Sequence, residues 1–138
     1  MRLSTTITAA TVLLASTAFA QENLQEIDKP ASELEQVLAH GAEIPTGAQE
    51  VRVVRATIEP RTIAGWHTHP TPVYVYVLDG TLTMEVEGKE PRTITAGEAV
   101  AEPLNAPMRV INEGEQPVEL VVFQISPPQE QFLEQNEQ

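Results

Sequence analysis

Cysteine is absent from this chain of 138 residues. Its absence excludes a disulfide framework and a thiolate nucleophile. Basic residues are also scarce, because eight Lys and Arg stand against twenty Asp and Glu, for a formal net charge of −12. Nucleic acids and anionic membrane surfaces are bound through basic patches, so neither is predicted as a partner.

Motifs for nucleophilic and nucleotide chemistry are missing as well. The sequence contains no Gly-x-Ser-x-Gly elbow, no glycine-rich phosphate loop and no Rossmann fingerprint. A serine hydrolase and a nucleotide-dependent enzyme are therefore not predicted.

A run of apolar and small residues at 7–19 is too short to span a bilayer, which needs about 20 apolar residues. Arg2 precedes it, and the small-x-small triplet Ala-Phe-Ala at 18–20 follows it. These features are typical of a secretory signal peptide, here residues 1–20, cut before Gln21. We expect a periplasmic or secreted protein with no membrane attachment after cleavage.

The remaining chain predicts one domain of short strands. Residues 21–33 are polar and indicate an N-terminal arm, 34–126 the folded domain, and 127–138 a polar C-terminal tail. Segment 34–40 fits a short helix or a first strand about equally well. Seven further strands are predicted, separated by Gly, Pro and Asn turns, at 51–58, 73–78, 81–87, 92–95, 99–102, 108–111 and 118–125. This pattern is typical of an all-β sandwich or barrel.

Two histidines carry the clearest chemical signal. His67 and His69 are two residues apart on an extended segment, so both side chains project to the same face. Such a pair can hold a divalent metal. The alternative is that one histidine packs in the core and the other lies at the mouth of a pocket.

The segment resembles the first motif of the cupin superfamily, Gly-x5-His-x-His-x3,4-Glu-x6-Gly, at His67, His69 and Gly80. The second cupin motif, Gly-x5-Pro-x-Gly-x2-His-x3-Asn, is matched at Gly97, Pro103 and Asn112. The resemblance implies a single-domain cupin, a jelly-roll-like β-barrel with a central pocket where the two motifs meet.

Three positions depart from the cupin motifs. Val73 stands where the glutamate ligand is expected, Met108 where the second-motif histidine is expected, and Asn105 where a glycine is expected. Only His67 and His69 can thus be carried over as metal ligands from the family.

Three interpretations of the site remain open. A metal could be held by His67, His69 and Met108, a set that favours Cu(I) over Fe and Mn, which would bind weakly or not at all. Alternatively, Val73 and Met108 line an apolar pocket for a small molecule, with the two histidines as polar anchors. In the third, Glu102 or His40 completes an ordinary divalent-metal site.

The environment of these residues is less specific. Trp66 could line the pocket mouth or pack beneath its loop. Met108 could be ordinary core packing. Tyr74 and Tyr76 are predicted to lie on the outer face of their strand, where they could support a homodimer or simply cover the core edge.

The sequence predicts an exported cupin-domain protein that binds a small molecule, a metal or both through His67 and His69, with no assigned reaction. The alternatives are a metal-dependent oxygenase or isomerase of a small polar substrate, and a non-catalytic structural barrel.

Overall fold

The computed structural model describes residues 35–135, and the predicted signal peptide (1–20) and arm (21–33) lie outside this range. The described chain is all-β and contains no helix, which confirms the predicted fold class. Its strands are β1 (Glu50–Ile58), β2 (Thr62–Ile63), β3 (His67–Thr68), β4 (Val73–Asp79), β5 (Thr81–Val86), β6 (Arg92–Thr95), β7 (Ala99–Ala101), β8 (Met108–Asn112), β9 (Val118–Ser126) and β10 (Glu134–Gln135).

Two antiparallel sheets form the barrel. One has the strand order β1-β9-β4-β7, and the other has the order β10-β3-β8-β5-β6, with β2 also paired to β8. In β5, Leu82, Met84 and Val86 are buried and alternate with more exposed residues, as period-2 alternation predicts for a strand with one face on the core.

The core lies between the two sheets. It consists of thirteen buried apolar side chains, namely Val73, Val75, Val77, Leu82, Met84, Val86, Ile94, Val100, Met108, Val110, Val118, Leu120 and Val122. Eight of them are valine, a β-branched residue that packs well on a pleated surface. Burial of these side chains holds together a domain that has no disulfide.

Two turns depend on a left-handed backbone. Gly80 has φ +89°, and a Cβ there would lie 3.0 Å from Cγ2 of Val118, so glycine is required both by conformation and by space. Asn105 has φ +53° at the position where the cupin motif has glycine. Asparagine tolerates this conformation, so the replacement preserves the turn.

The outer face of the four-stranded sheet carries the two tyrosines. Val73, Val75 and Val77 are buried, whereas Tyr74 and Tyr76 alternate with them and are half-buried. Tyr74 is level with Phe123 of β9, and Phe123 is in turn level with Val53 of β1.

The two ends of the domain differ from expectation. Residues 35–40 form neither a helix nor a strand, so the predicted first element is wrong over its described part. At the other end, the chain does not leave the barrel after Ser126. It turns back, and β10 pairs with β3. No helix in residues 35–135 is long and apolar enough to cross a membrane.

Candidate functional site

His69 is a buried polar residue and forms the centre of the candidate site. It follows β3 directly, its backbone bridges to Leu104, and only 1% of the residue is exposed. A buried polar side chain is costly unless polar partners surround it, so its contacts define the site.

Backbone carbonyls fix the δ nitrogens of both histidines. Nδ1 of His69 lies 2.8 Å from the carbonyl oxygen of Phe132, and Nδ1 of His67 lies 2.8 Å from that of Gly65. A carbonyl oxygen only accepts hydrogen bonds, so both Nδ1 atoms must donate a proton. In the neutral form of each ring, Nε2 then carries the free lone pair.

Glu102 supplies the second partner of His69. It directly follows β7, and its N–H donates to the carbonyl of Val73, which anchors the backbone at the start of β4. Its carboxylate Oε2 lies 2.9 Å from Nε2 of His69, with 8% of the Glu102 side chain exposed. At this distance the two groups form an ion pair when His69 is protonated.

These partners determine the protonation of His69. Burial lowers the pKa of His69, but the Glu102 carboxylate and the Phe132 carbonyl raise it by more, so the pKa lies above its ordinary value. An imidazolium can donate from both nitrogens, toward the carbonyl on one side and the carboxylate on the other. The carboxylate and the carbonyl therefore both stabilise the protonated form of His69.

Glu102 also faces a cavity of about 570 Å³. The cavity has apolar walls that include Met84, Val86 and Leu104, and charged groups that include Lys89 and Arg92. His40 and Glu43 line it as well, whereas His67 and His69 do not. A molecule in this cavity would thus meet the Glu102 carboxylate, with His69 behind it.

Met108 and Val73 belong to the hydrophobic core. Met108 is fully buried and lies in register between His67 of β3 and Val86 of β5. Val73 is 1% exposed and in register with Gln124. The structure thus brings Met108 beside His67 in the sheet, and Glu102 against His69.

Trp66 and His40 lie apart from the His69–Glu102 contact. The Trp66 ring has the guanidinium of Arg109 4.8 Å from its centroid, a cation–π contact. Because Arg109 and Met108 are adjacent on β8, their side chains project to opposite faces of the sheet. His40 packs its ring edge against Tyr74 at 5.9 Å between centroids, and it also reaches the cavity.

The donor atoms do not fit a preformed metal centre. No three His, Cys, Asp or Glu side chains within residues 35–135 come together in a way that could hold a metal ion. The rings of His67 and His69 are 5.0 Å apart and nearly perpendicular. A metal bound by both rings and Glu102 would require these side chains to rearrange.

Sequence reasoning missed two residues of this site. The side chain of Phe132 has no polar group, but its backbone carbonyl bonds Nδ1 of His69. Its ring also packs against that of His69, with 5.3 Å between the centroids. Gln124 is fully buried and bonds the carbonyl of Gln131. The one available signal was the apolar pair Phe132–Leu133 within an otherwise polar segment.

Solved structures share this fold at low sequence identity. The DMSP lyase DddQ from Ruegeria pomeroyi is 19% identical with a TM-score of 0.53, over 60% of this chain and 41% of that one. The polyketide cyclase RemF from Streptomyces resistomycificus is 17% identical with a TM-score of 0.55, over 67% of this chain and 64% of that one. This chain therefore spans less than two-thirds of either protein.

An uncharacterized protein with a double-stranded β-helix domain from Klebsiella pneumoniae is 18% identical with a TM-score of 0.52, over 63% of this chain and 76% of that one. At these identities the likeness concerns the fold alone. No curated protein matches the chain. The family model described as "Cupin domain" matches residues 54–124, which contain both histidines, Glu102 and Met108. The chain thus belongs to the cupin domain family.

Proposed function

We propose that this protein is an exported cupin that binds a small organic molecule in its cavity, with Glu102 as the polar anchor. The observation that carries the proposal is the position of the Glu102 carboxylate, which lines the 570 Å³ cavity and lies 2.9 Å from His69. Apolar walls with a few placed polar groups are typical of small-molecule sites.

The lining indicates the chemistry of the ligand. Met84 and Val86 offer apolar contact, and Glu102 offers an acceptor for a hydroxyl or ammonium group. Because His69 faces Glu102, the carboxylate is partly neutralised, so it can accept a neutral donor without leaving a buried charge unpaired. A compact molecule with one apolar side and one hydrogen-bond donor fits this cavity.

Ligand binding can be tested by screening a set of small alcohols, amines and sugars for thermal stabilisation of the protein, followed by titration calorimetry. We expect Glu102→Gln to weaken the binding of a hit at least about tenfold, since a charge-assisted hydrogen bond contributes about 1.5–3 kcal/mol. The matched control is Glu87→Gln, because Glu87 is exposed just beyond β5 and does not line the cavity. If the Glu102→Gln and Glu87→Gln variants bind the ligand with equal affinity, Glu102 does not anchor it.

A catalytic role is the alternative form of this proposal. A carboxylate beside an imidazole in a cavity can transfer a proton to or from a bound molecule. The lyase and the cyclase with the same fold are named for reactions of small molecules, but the fold does not determine the activity. Turnover of a bound hit that is lost in both Glu102→Gln and His69→Gln would establish catalysis, and binding without turnover would establish a binding protein.

Metal binding is a second candidate, and it rests on a different observation. Both histidines are held through Nδ1 by backbone carbonyls, an arrangement that presents Nε2 as a ligand in many metal sites. The sequence prediction of Cu(I) requires the Met108 thioether, whereas the contact with Glu102 favours harder divalent ions. Titration with a Cu(I) chelator and with Zn(II) separates these cases: Met108→Leu should weaken only Cu(I), and Glu102→Gln only Zn(II).

Export is part of the proposal and has its own test. Expression of the full chain in a Gram-negative host should give a periplasmic protein whose intact mass begins at Gln21. A protein that keeps residues 1–20 would contradict it.

A homodimer remains a prediction. The outer face with Tyr74, Phe123 and the exposed Val53 would supply its apolar contact. Light scattering after size exclusion would measure the mass, and Val53→Asp should dissociate a dimer that uses this face.

A further inference from the structure

The C-terminal segment beyond β9 packs directly against His69. Residues 129–135, which we name the C-terminal strap, begin at Gln129, whose φ is +70° and whose left-handed backbone turns the chain back after Pro127 and Pro128. The N–H of Glu130 donates to the carbonyl of Pro127 at 3.2 Å and completes this turn. The strap ends in β10, which pairs Glu134 with Thr68 and Gln135 with His67.

Buried side chains hold the strap at its middle. The Gln124 amide is fully buried, and its Nε2 donates to the carbonyl of Gln131 at 3.0 Å and to Oγ1 of Thr71 at 2.9 Å. Its Oε1 accepts from Nη1 of Arg52 at 2.9 Å. Arg52 and Thr71 lie outside the strap, so only the bond to the carbonyl of Gln131 depends on docking. An undocked strap would leave one buried N–H of this amide without its acceptor.

The strap acts on His69 in two ways. The carbonyl of Phe132 accepts the Nδ1 proton of His69, and the Phe132 ring packs edge-on against the imidazole. Phe132 is itself half-buried against the core. With Nδ1 occupied in this way, Nε2 is the nitrogen that faces Glu102 in the cavity.

We propose that the strap, through Phe132, is a positioning element that fixes the orientation of His69 toward Glu102 and shields the ring from solvent. Phe132 does not line the cavity, so it acts through His69 and not through a bound molecule. This positioning role does not depend on whether the cavity binds a ligand.

The test measures chemical access to each histidine of the full-length chain by diethyl pyrocarbonate modification, read by peptide mass spectrometry. In the unaltered protein, the exposed His40 should react and His69 should be protected. Phe132→Ala should raise the modification rate of His69, relative to His40 in the same molecule, by about tenfold, which corresponds to about 1.4 kcal/mol of local opening free energy.

Two variants serve as controls. Phe123→Ala removes a phenylalanine from the outer face, where 39% of the residue is exposed, and should leave the protection of His69 unchanged. Phe132→Leu retains an apolar anchor and should restore most of the protection. Equal protection of His69 in Phe132→Ala and Phe123→Ala would overturn the proposal.

A second measurement needs no substitution and covers the case in which Phe132→Ala does not fold. Long-range ¹H–¹⁵N spectra of the unaltered protein report which ring nitrogen carries a proton. We expect a proton on Nδ1 of His69, bonded to the Phe132 carbonyl. An Nδ1 without a proton would refute the positioning role, because a carbonyl cannot orient a nitrogen that has nothing to donate.

Discussion

Met108 and His69 are buried to the same extent, at 0% and 1% exposure, yet they occupy opposite kinds of environment. Met108 belongs to the hydrophobic cluster between the sheets and is level with Val86. His69 lies between a carboxylate, a backbone carbonyl and an aromatic ring edge. Burial alone therefore does not identify a functional residue. The chemical groups that contact the side chain distinguish a site residue from a core residue.

The difference follows from the cost of burying polar groups. A thioether needs no hydrogen-bond partner and fills the irregular space between strands. An imidazole needs a partner for each nitrogen, and the structure provides them from two distant parts of the chain, Glu102 and Phe132. The chemistry of the site should accordingly depend on Glu102 more than on Met108.

The largest effect on stability is expected at Met108. Met108→Ala should lower the free energy of unfolding by about 2–5 kcal/mol, because it leaves a cavity in a packed core. Met108→Leu conserves the volume and should cost less than about 1.5 kcal/mol. Urea unfolding of both variants measures these costs. If Met108→Leu is as destabilising as Met108→Ala, the sulfur has a role beyond packing.

A smaller loss is expected from Glu102→Gln. The substitution leaves Nε2 of His69 without its anionic partner. We therefore expect the free energy of unfolding at pH 7 to fall by about 1–3 kcal/mol. Glu87→Gln, at an exposed position, should stay within about 0.5 kcal/mol. If the two variants unfold at the same urea concentration, the His69–Glu102 contact contributes nothing to stability.

The pH dependence of stability should distinguish the two environments further. Because the pKa of His69 is raised in the folded state, the native protein binds more protons than the unfolded one in the window just above the ordinary histidine pKa. The stabilisation of the folded state by protonated His69 is complete below about pH 6.5, and it is lost as the pH rises through the raised pKa of His69. The slope is at most about 1.4 kcal/mol per pH unit for one proton.

Urea unfolding between about pH 5.5 and 8.5 measures this slope. Met108→Leu should retain it, and Glu102→Gln should reduce it. Glu98 and Glu119 have lowered pKa values, through hydrogen bonds from Thr95 and from Thr57 respectively, so their effect on stability appears at lower pH and has the opposite sign. A slope that Glu102→Gln leaves intact would assign the titration to another group.

Local patterns in the sequence were sufficient for most of the barrel. The alternation of Leu82, Met84 and Val86 predicts β5, and the seven predicted strands from 51 to 125 all appear within a residue or so of their expected bounds. The strands β2 and β3 have two residues each, too few to show an alternation of apolar and polar residues in the sequence. They are recognised only by their pairing with β8. Residues 35–40 include apolar side chains but pair with no strand of the described residues, so they do not form a strand.

The sequence by itself determined the fold class, the family resemblance and the position of the histidine pair, because each depends on local spacing along one strand or turn. Only the tertiary structure decided which groups meet at His69. Glu102 and Phe132 are 33 and 63 residues away along the chain, and their contacts depend on β7 and the C-terminal strap returning to the same end of the barrel. Contacts of this kind leave no periodic trace in a sequence, since they are set by the path of the backbone and not by local propensity.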